Sequence, residues 1–391
     1  MKRSMDRIIT SHAGSLPRPG DLRELVVAKE SHQPYDAGKL ATRLRQSVAE
    51  VVKKQIESGI DVINDGELSK VTFTSYMRER LSGIEDRKAS HPTQKIYARD
   101  EKEFPEYFAK GPVFGGGAGG PSGGQGGGTR EAVLTGPIKY IGQAAVAEDI
   151  ANFKAALQGV NPLEAFLPAV TPGTIEHWLH NEHYPDAQSY LYAIAAALHE
   201  EYKAIIDAGF VLQIDDPDLP DAWQIYPQMD IAAYRKFAEL RIDALNRALE
   251  GLPEDRIRFH TCWGSYHGPH KYDVPLKEIV DLILKVKAEC ISIEASNPCH
   301  EHDYHVWEKV KLPAGKSLMP GVVGHYSDFI EHPELIAERL VRYAKIVGRE
   351  NVIAGTDCGI GSRVGHPKIA WAKFEAMSEG ARIASKQLWN R

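Results

Sequence analysis

The sequence predicts a TIM-type (β/α)8 barrel, because strand-like segments alternate with helical patterns along most of its length. Eight short, β-rich, apolar segments have the length of core strands, and amphipathic segments with helical periodicity separate several of them. Near-continuous apolar strands are typical of a parallel sheet covered by helices. Eight such units favour a closed barrel over an open, doubly wound sheet.

The predicted core strands are residues 7–10, 61–64, 165–170, 211–214, 257–261, 291–294, 317–321 and 352–356. The clearest amphipathic helices are predicted over residues 187–208, 231–249, 276–287 and 333–346. These helices fall between predicted strands, as a barrel built from strand–helix units requires. We therefore expect residues 1–391 to form a single catalytic barrel domain.

The connection from residue 68 to residue 161 is too long for a simple crossover, and we interpret it as an insertion between strands two and three. It contains a glycine-rich tract, residues 114–129, that lacks the preceding strand and the following Lys-Ser or Lys-Thr of a phosphate-binding loop. We therefore predict a loop tip there, in preference to a nucleotide site or a working lid. The segment 131–140 is predicted to be one arm of a hairpin on the barrel mouth.

Composition and charge are typical of a soluble globular protein. Apolar residues make up 43% of the 391 residues and charged residues 26%. The formal net charge is −6, whereas nucleic-acid-binding proteins usually carry a basic excess, so we expect no nucleic-acid partner. No apolar run approaches the ~20 residues that a membrane helix needs, and the first residues lack the apolar core of a signal peptide. We therefore expect a cytoplasmic protein without a membrane partner.

Four residues with metal-binding side chains stand at the ends of three predicted strands. His260 and Cys262 end the fifth strand, Glu294 ends the sixth, and Cys358 follows the eighth. The carboxyl ends of barrel strands form the active-site mouth, so these side chains are expected to meet there. One imidazole, two thiolates and one carboxylate suit a tetrahedral Zn(II) ion. The alternative for each residue alone is a hydrogen-bonded histidine or a small buried cysteine.

The two other cysteines do not share this placement. Cys290 begins a strand, at the opposite end of the barrel, which usually serves stability. Cys299 lies in a histidine-rich loop, where a ligand role is a second alternative. Disulfides are not expected among cysteines scattered through a large cytoplasmic chain.

A second set of polar residues also follows predicted strands. Ser15 follows the first strand, Glu67 the second, Asp215 and Asp216 end the fourth, and His325 follows the seventh. Carboxylates beside a metal can hold the amino group of an amino-acid substrate, and a hydroxyl group can hold its carboxylate. The alternative is that Glu67 and Asp215 pair with arginines and only tie the barrel mouth together.

The motifs around these residues resemble the catalytic domain of cobalamin-independent methionine synthase. The matching segments are SHAGSLPRP, DVINDGEL, TPGTIEHW, LQIDDPDLP, FHTCWGS, ISIEAS, MPGVVGHYSD and GTDCGIGSR, in the order that the family has. The resemblance implies a (β/α)8 barrel. It also implies a zinc ion bound by His260, Cys262, Glu294 and Cys358.

The same resemblance implies roles for the second set. Ser15, Glu67 and Asp215 match homocysteine-binding positions, and His325 matches a proton donor, a role that Asp215 could also serve. Trp178 matches a tryptophan that stacks on the folate. The sequence departs from the family pattern at His12 and Arg18, which could receive an anionic group of the substrate, and at Asp216.

We therefore expect zinc-dependent transfer of an alkyl group, in first place a methyl group, to the thiol of a homocysteine-type substrate. The partners would be a small thiol and an alkyl donor such as a methyl-folate, and assembly into a homo-oligomer is left open. Epoxyalkane:coenzyme M transferases share the barrel and the HxC…C motif, so thiol addition to an epoxide is an alternative. A zinc-free, decarboxylase-like barrel is an alternative of another class.

Overall fold

The computed structural model describes residues 1–72, 74–91, 95–109, 130–265, 267–361 and 363–390. The described strands are β1 (Ile9–Thr10), β2 (Val62–Ile63), β3 (Ile84–Lys88), β4 (Arg130–Leu134), β5 (Glu164–Val170), β6 (His180–Asn181), β7 (Val211–Asp215), β8 (Ile257–Thr261), β9 (Cys290–Ile293), β10 (Ser317–Val323) and β11 (Ile353–Thr356). The described helices are α1 (Gly20–Glu30), α2 (Ala37–Glu57), α3 (Ala98–Glu103), α4 (Pro105–Phe108), α5 (Gln143–Ala156), α6 (Pro172–Trp178), α7 (Ala187–Asp207), α8 (Asp218–Ile225), α9 (Ile231–Ala248), α10 (Val280–Ile283), α11 (Tyr304–Trp307), α12 (Pro333–Val347) and α13 (Pro367–Trp389). None of these helices is both long and apolar enough to cross a membrane.

Eight strands form one parallel sheet in the order β1-β11-β10-β9-β8-β7-β5-β2. The two outer strands meet, because the Asp61 amide donates to the Thr10 carbonyl at 3.2 Å and Ser11 Oγ donates to the Val62 carbonyl at 3.1 Å. The sheet therefore closes nearly completely. The predicted barrel is confirmed, and each of the eight predicted core strands overlaps a strand of this sheet.

The amino-terminal end of the barrel interior is filled by apolar side chains, most of them from the first residues of the strands. They are Ile9, Val62, Phe166, Val211, Cys290, Met319 and Ile353. Burial among these side chains raises the pKa of the Cys290 thiol to about 11, so this cysteine stays protonated at neutral pH. Cys290 is therefore a part of the packed interior, as its place at the start of a strand predicted.

A buried arginine lies deeper in the same barrel, beneath the carboxyl ends of the strands. Arg258 Nε donates to Gln213 Oε1 at 2.7 Å, Nη1 donates to Ser11 Oγ at 2.8 Å, and Nη2 donates to the His12 carbonyl at 3.1 Å. These bonds join residues at or next to strands β1, β7 and β8. Because alternate residues of a strand point the same way, Arg258 supports the side of β8 from which His260 projects.

Three of the four predicted helices are confirmed with ends shifted by one residue, as α7, α9 and α12. The helix predicted over residues 276–287 is wrong, since this segment forms a 3-10 turn (Leu276–Glu278) followed by the single turn α10. Ile279, which joins them, has a φ of −129°, outside the helical range. Most apolar residues of the segment 276–287 are buried all the same, so their packing accounts for the amphipathic pattern without a regular helix.

The insertion between β2 and β5 contributes a small second sheet of order β3-β4-β6. Strand β4, in the segment predicted as a hairpin arm, pairs antiparallel with β3 and parallel with β6. Helix α3 of the insertion lies on the loops after β7 and β8, where Arg99 Nη2 donates to the Met229 carbonyl at 2.7 Å and the Tyr272 amide donates to Asp100 Oδ1 at 3.1 Å. The glycine-rich tract 114–129 falls outside the described residues.

Candidate active site

Three of the proposed metal ligands form a compact set at the barrel mouth. His260 lies at the end of β8, Cys262 follows that strand, and Cys358 follows β11. The donor atoms of these three residues all lie within 4.8 Å of one another, and the two Sγ atoms are 3.7 Å apart. Tetrahedral zinc with Zn–S bonds of about 2.3 Å places two sulfur ligands about 3.8 Å apart. The residues present therefore fit a zinc ion.

The imidazole of His260 is oriented from below by Ser292. The two residues are opposite each other in the β8–β9 register, and Ser292 Oγ lies 2.9 Å from His260 Nδ1. His260 Nε2 is buried and has no hydrogen-bond partner among the described residues. A buried polar nitrogen without a partner costs free energy, and a metal ion would remove that cost. Ser292 could have been found from the sequence, because it lies two residues before Glu294, and alternate residues of a strand point the same way. It was not among the predicted site residues.

Replacing Ser292 by alanine is expected to weaken zinc binding about 10- to 100-fold, because the orientation of His260 is lost while all metal ligands remain. The measurement is competition for zinc with a chelator of known affinity. Ser317→Ala serves as a control, since Ser317 is equally buried on the neighbouring strand β10 but lies opposite Cys290, two residues before the one that pairs with Ser292. An unchanged zinc affinity in Ser292→Ala would remove Ser292 from the site.

The two thiols and the imidazole form one electrostatic unit. The hydrogen bond from the Cys262 thiol holds the pKa of Cys358 well below its usual range, against the effect of burial, and the nearby His260 acts in the same direction. The same hydrogen bond, together with burial, raises the pKa of Cys262. The arrangement therefore favours the thiolate form of Cys358 over that of Cys262, and the thiolate is the metal-binding form.

Glu294 reaches the same mouth, but its carboxylate has other partners. The Trp263 amide donates to Glu294 Oε2 at 2.9 Å, and Asn297 Nδ2 donates to Oε1 at 2.8 Å. Its oxygens belong to a second set with His325 and Asp357, whose donor atoms lie within 4.8 Å of one another. Each carboxylate oxygen keeps a further lone pair, so ligation by Glu294 stays a prediction.

His325 and Asp357 complete this second set. His325 is buried, burial lowers its pKa, and neither ring nitrogen has a hydrogen-bond partner among the described residues. Asp357 Oδ1 accepts hydrogen bonds from the amides of Ala295 at 2.8 Å and Ser296 at 2.9 Å, and burial raises its pKa to about 7. Asp357 thus joins the loop after β9 to the end of β11 and fixes Cys358, its neighbour in sequence. Sequence reasoning missed Asp357, although it directly precedes a proposed ligand.

Glu67 and Asp215 are buried carboxyl groups of the same mouth, and Asp215 pairs with His260 in the β7–β8 register. Burial raises the pKa of Glu67 to about 8 and that of Asp215 to about 6, although Lys70 lowers both. Within the described part of the chain neither carboxylate forms an ion pair with an arginine. Arg18 Nη2 donates instead to the Glu67 backbone carbonyl at 2.9 Å. The arrangement therefore favours the binding role over the tie between carboxylates and arginines.

Glycine is required at position 14 to make room for Glu67. Gly14 has a φ of +130°, and a Cβ atom there would lie 2.3 Å from Glu67 Oε1. Glu67 itself has a φ of +56°, an uncommon conformation for a residue other than glycine. Two unusual backbone positions thus hold this carboxylate at the mouth.

Ser15, in the loop after β1, and Trp178, at the end of α6, both lie near the mouth. Ser15 Oγ packs against Gly359, the residue after Cys358, where an added Cβ would lie 2.3 Å away. Trp178 ends α6, is half-buried, and its Nε1 donates to Asp218 Oδ1 at 3.1 Å. Ser15 thus lies against the segment that carries Cys358, and Trp178 is held by Asp218 in the segment after β7.

His12 does not supply a positive charge to the mouth, so that part of the sequence interpretation is wrong. Its side chain is buried, and Nε2 lies 2.8 Å from Gln55 Oε1. Burial lowers its pKa to about 3, so the ring is neutral at physiological pH. Strand β1 has only two residues, so its pattern does not show in advance that the His12 side chain points away from the mouth.

Two buried aspartates in the segment after β7 are expected to make stability depend on pH. Burial raises the pKa of Asp216 to about 7 and that of Asp218 to about 8, and Asp216 raises the latter further. Their contribution is full below about pH 4 and is lost as the pH rises through about 8, because the folded state holds these protons more tightly than the unfolded state. In urea titrations at a series of pH values, Asp218→Asn should lose less stability between about pH 5 and pH 8 than the parent protein does. Parallel profiles would contradict these raised pKa values.

Residues 169–382 match the family model described as cobalamin-independent synthase, catalytic domain. Curated relatives include the methionine synthase of Sulfolobus acidocaldarius, 26% identical over 389 residues that cover 97% of this chain and 93% of the relative. The methionine synthase of Saccharolobus solfataricus is 23% identical, and the alignment covers 97% of this chain and 95% of the relative.

Solved structures with the same fold include a B12-independent methionine synthase from Shewanella sp. W3-18-1 in complex with selenomethionine, with a TM-score of 0.72, 22% identity, and coverage of 98% of this chain and 100% of that one. A putative vitamin-B12 independent methionine synthase from Listeria monocytogenes has a TM-score of 0.65 and 18% identity, and the alignment covers 96% of this chain and 98% of that one. Since the family model covers more than half of the 391 residues, this protein belongs to the cobalamin-independent synthase catalytic-domain family.

Proposed function

We propose that this protein transfers a methyl group to the thiol of homocysteine and that zinc is its metal. The observation that carries the proposal is the set of His260, Cys262 and Cys358, with two sulfur atoms 3.7 Å apart. It lies at the same barrel mouth as two buried carboxyl groups that form no ion pair with any arginine in the described part of the chain. The names of the relatives, which are methionine synthases, support this function.

In this proposal, different residues of the mouth bind different groups of the thiol substrate and the methyl donor. A zinc ion held by His260, Cys262 and Cys358, with Glu294 as a fourth ligand that is displaced or remains as the substrate sulfur enters, would lower the pKa of a substrate thiol and make it nucleophilic. Asp215, with a pKa of about 6, offers negative charge to the ammonium group of an amino-acid thiol. Glu67, whose pKa burial raises to about 8, would do the same once a bound ammonium group favours the loss of its proton. We assign the carboxylate of that substrate to the Ser15 hydroxyl, and the methyl donor, a methyl-folate, to the face of Trp178.

The leaving group of the methyl donor requires a proton, and two residues of the mouth can hold one. Asp215 has a pKa of about 6, nearer to neutral pH than an ordinary aspartate. His325 is buried beside Glu294, and neither of its ring nitrogens has a partner among the described residues. We assign proton transfer to these two residues, since each is within the cluster of polar groups that surrounds the thiols.

The epoxide-opening alternative fits these charges less well. A coenzyme M sulfonate would meet the negative charge of Asp215 and the buried carboxyl group of Glu67, neither of which attracts an anion, and His12 is buried and neutral and does not offset them. Lys70, whose charge lowers the pKa of both carboxyl groups, is buried and its Nζ donates to the Pro168 carbonyl. A zinc-free decarboxylase-like barrel does not explain why two thiols, Cys262 and Cys358, lie beside His260 Nε2, which has no hydrogen-bond partner among the described residues.

The proposal can be tested without knowing the methyl donor, since coordination of a thiol to zinc releases a proton. Homocysteine, coenzyme M and glutathione are added in turn to the zinc-loaded protein in weakly buffered solution, with metal-free protein as the control. We expect proton release with homocysteine only, and none from the control. Release with coenzyme M but not with homocysteine would replace this function by the epoxide-opening alternative.

A further inference from the structure

Two histidines and a glutamate come together on the small sheet, far along the chain from the ligands of the barrel mouth. His91 follows strand β3, His180 begins strand β6, and Glu182 follows β6. One donor atom from each of the three lies within 4.8 Å of the other two. The centroids of the two imidazole rings are 3.4 Å apart. Both strands are adjacent to β4, one on either side, so the pairing of the sheet itself brings these residues together.

A fourth residue, Glu131 of β4, orients one of the imidazoles. Both carboxylate oxygens of Glu131 lie 3.0 Å from His91 Nδ1. The carboxylate is itself fixed, because the Ser90 amide donates to it at 3.0 Å and Ser90 Oγ at 2.9 Å. With Nδ1 bound to a carboxylate, His91 presents Nε2 as a free lone pair. A carboxylate behind a histidine in this way is typical of metal sites.

The charges around the cluster favour a cation. Glu131 and Glu182 provide two negative charges, and Arg87 offsets one, with Nη1 at 3.0 Å from Glu182 Oε2. Each oxygen of Glu182 keeps a lone pair beyond its contact with Arg87.

From this arrangement we infer that His91, His180 and Glu182 form a second metal site, which takes a divalent transition-metal ion such as zinc, nickel or cobalt. Two imidazoles and a carboxylate are ligands that these ions prefer, whereas calcium and magnesium prefer oxygen alone. The site is exposed and has no thiolate. It therefore binds more weakly than the buried set at the barrel mouth and exchanges its ion readily. Bound metal joins the end of β3 to β6 and stabilises the small sheet.

The test is calorimetric titration of the zinc-loaded protein with nickel(II) or cobalt(II). We expect one further equivalent to bind, and His91→Ala or His180→Ala to weaken that step at least tenfold. The zinc that was already bound should stay in both variants, which shows that they are folded. His183→Ala is the matched control, since His183 is an exposed histidine of the same segment, and it should bind like the parent.

Two further readouts separate this site from the barrel mouth. Arg87→Gln removes the competing charge and should tighten the second step. Cobalt(II) bound there should lack the sulfur-to-metal charge-transfer absorption that two cysteine ligands give. The inference is overturned if the parent binds no second equivalent, if both histidine variants bind it as the parent does, or if the second cobalt ion shows sulfur ligation.

Discussion

Substitution of Cys262 or Cys358 by serine is expected to reduce bound zinc from about one equivalent per chain to a small fraction of one. The two Sγ atoms are 3.7 Å apart and share one position for a metal with His260. A serine hydroxyl stays protonated at neutral pH and cannot replace a thiolate ligand. Because a metal ion supplies several kcal/mol of transition-state stabilisation, turnover should fall by roughly a thousandfold or more.

The chain offers matched controls for this experiment. Cys290 is buried among the apolar side chains of the barrel interior, and Cys299 lies in a loop after β9 with its Sγ near the Pro269 carbonyl. Cys290→Ser and Cys299→Ser should each retain the full equivalent of zinc, as measured by elemental analysis. Full retention of zinc in both Cys262→Ser and Cys358→Ser would show that the metal is held elsewhere.

Replacing either of the buried carboxyl groups by its amide should weaken the binding of homocysteine about tenfold or more, while zinc stays bound. A desolvated hydrogen bond to a charged group is worth roughly 1.5–3 kcal/mol, and Glu67→Gln and Asp215→Asn each remove one with the ammonium of the substrate. The shape of the side chain is kept in both variants. Homocysteine affinity and zinc content are measured on the same samples.

Asp216→Asn is the control for these two variants. Asp216 Oδ1 already accepts a hydrogen bond from the Leu219 amide at 3.1 Å, so its carboxyl group serves the loop after β7. Homocysteine should bind this variant nearly as well as the parent. If Glu67→Gln and Asp215→Asn bind coenzyme M as well as or better than the parent, and homocysteine is never methylated, the methionine-synthase-type proposal is wrong.

Much of the barrel could be predicted from the sequence, because buried parallel strands are nearly continuous in apolar residues. The positions of His260, Cys262 and Cys358 followed from the same pattern, since residues at the carboxyl ends of barrel strands face one mouth. The segment 276–287 was misjudged for a related reason. Its helical periodicity is real, but burial of the same apolar residues is achieved by a 3-10 turn and the single turn α10.

What the sequence did not indicate depends on contacts between distant parts of the chain. His12 lies next to the first strand like a mouth residue, yet it points to Gln55 of α2 and is neutral there. The support of His260 by Ser292 needs the register of two strands, and the partners of Glu294 come from the loops that follow β8 and β9. No local pattern encodes these choices, because each is made by packing in three dimensions.

The most direct test of this account is methyl transfer to homocysteine by metal-free protein before and after zinc is restored. The protein is depleted with a chelator, assayed with a methyl-folate donor, and assayed again after one equivalent of zinc is added. The account predicts no S-methylated product without the metal and full recovery with one equivalent in the parent protein, but no recovery in Cys262→Ser. Methylation of homocysteine at an undiminished rate by the metal-free protein would contradict it.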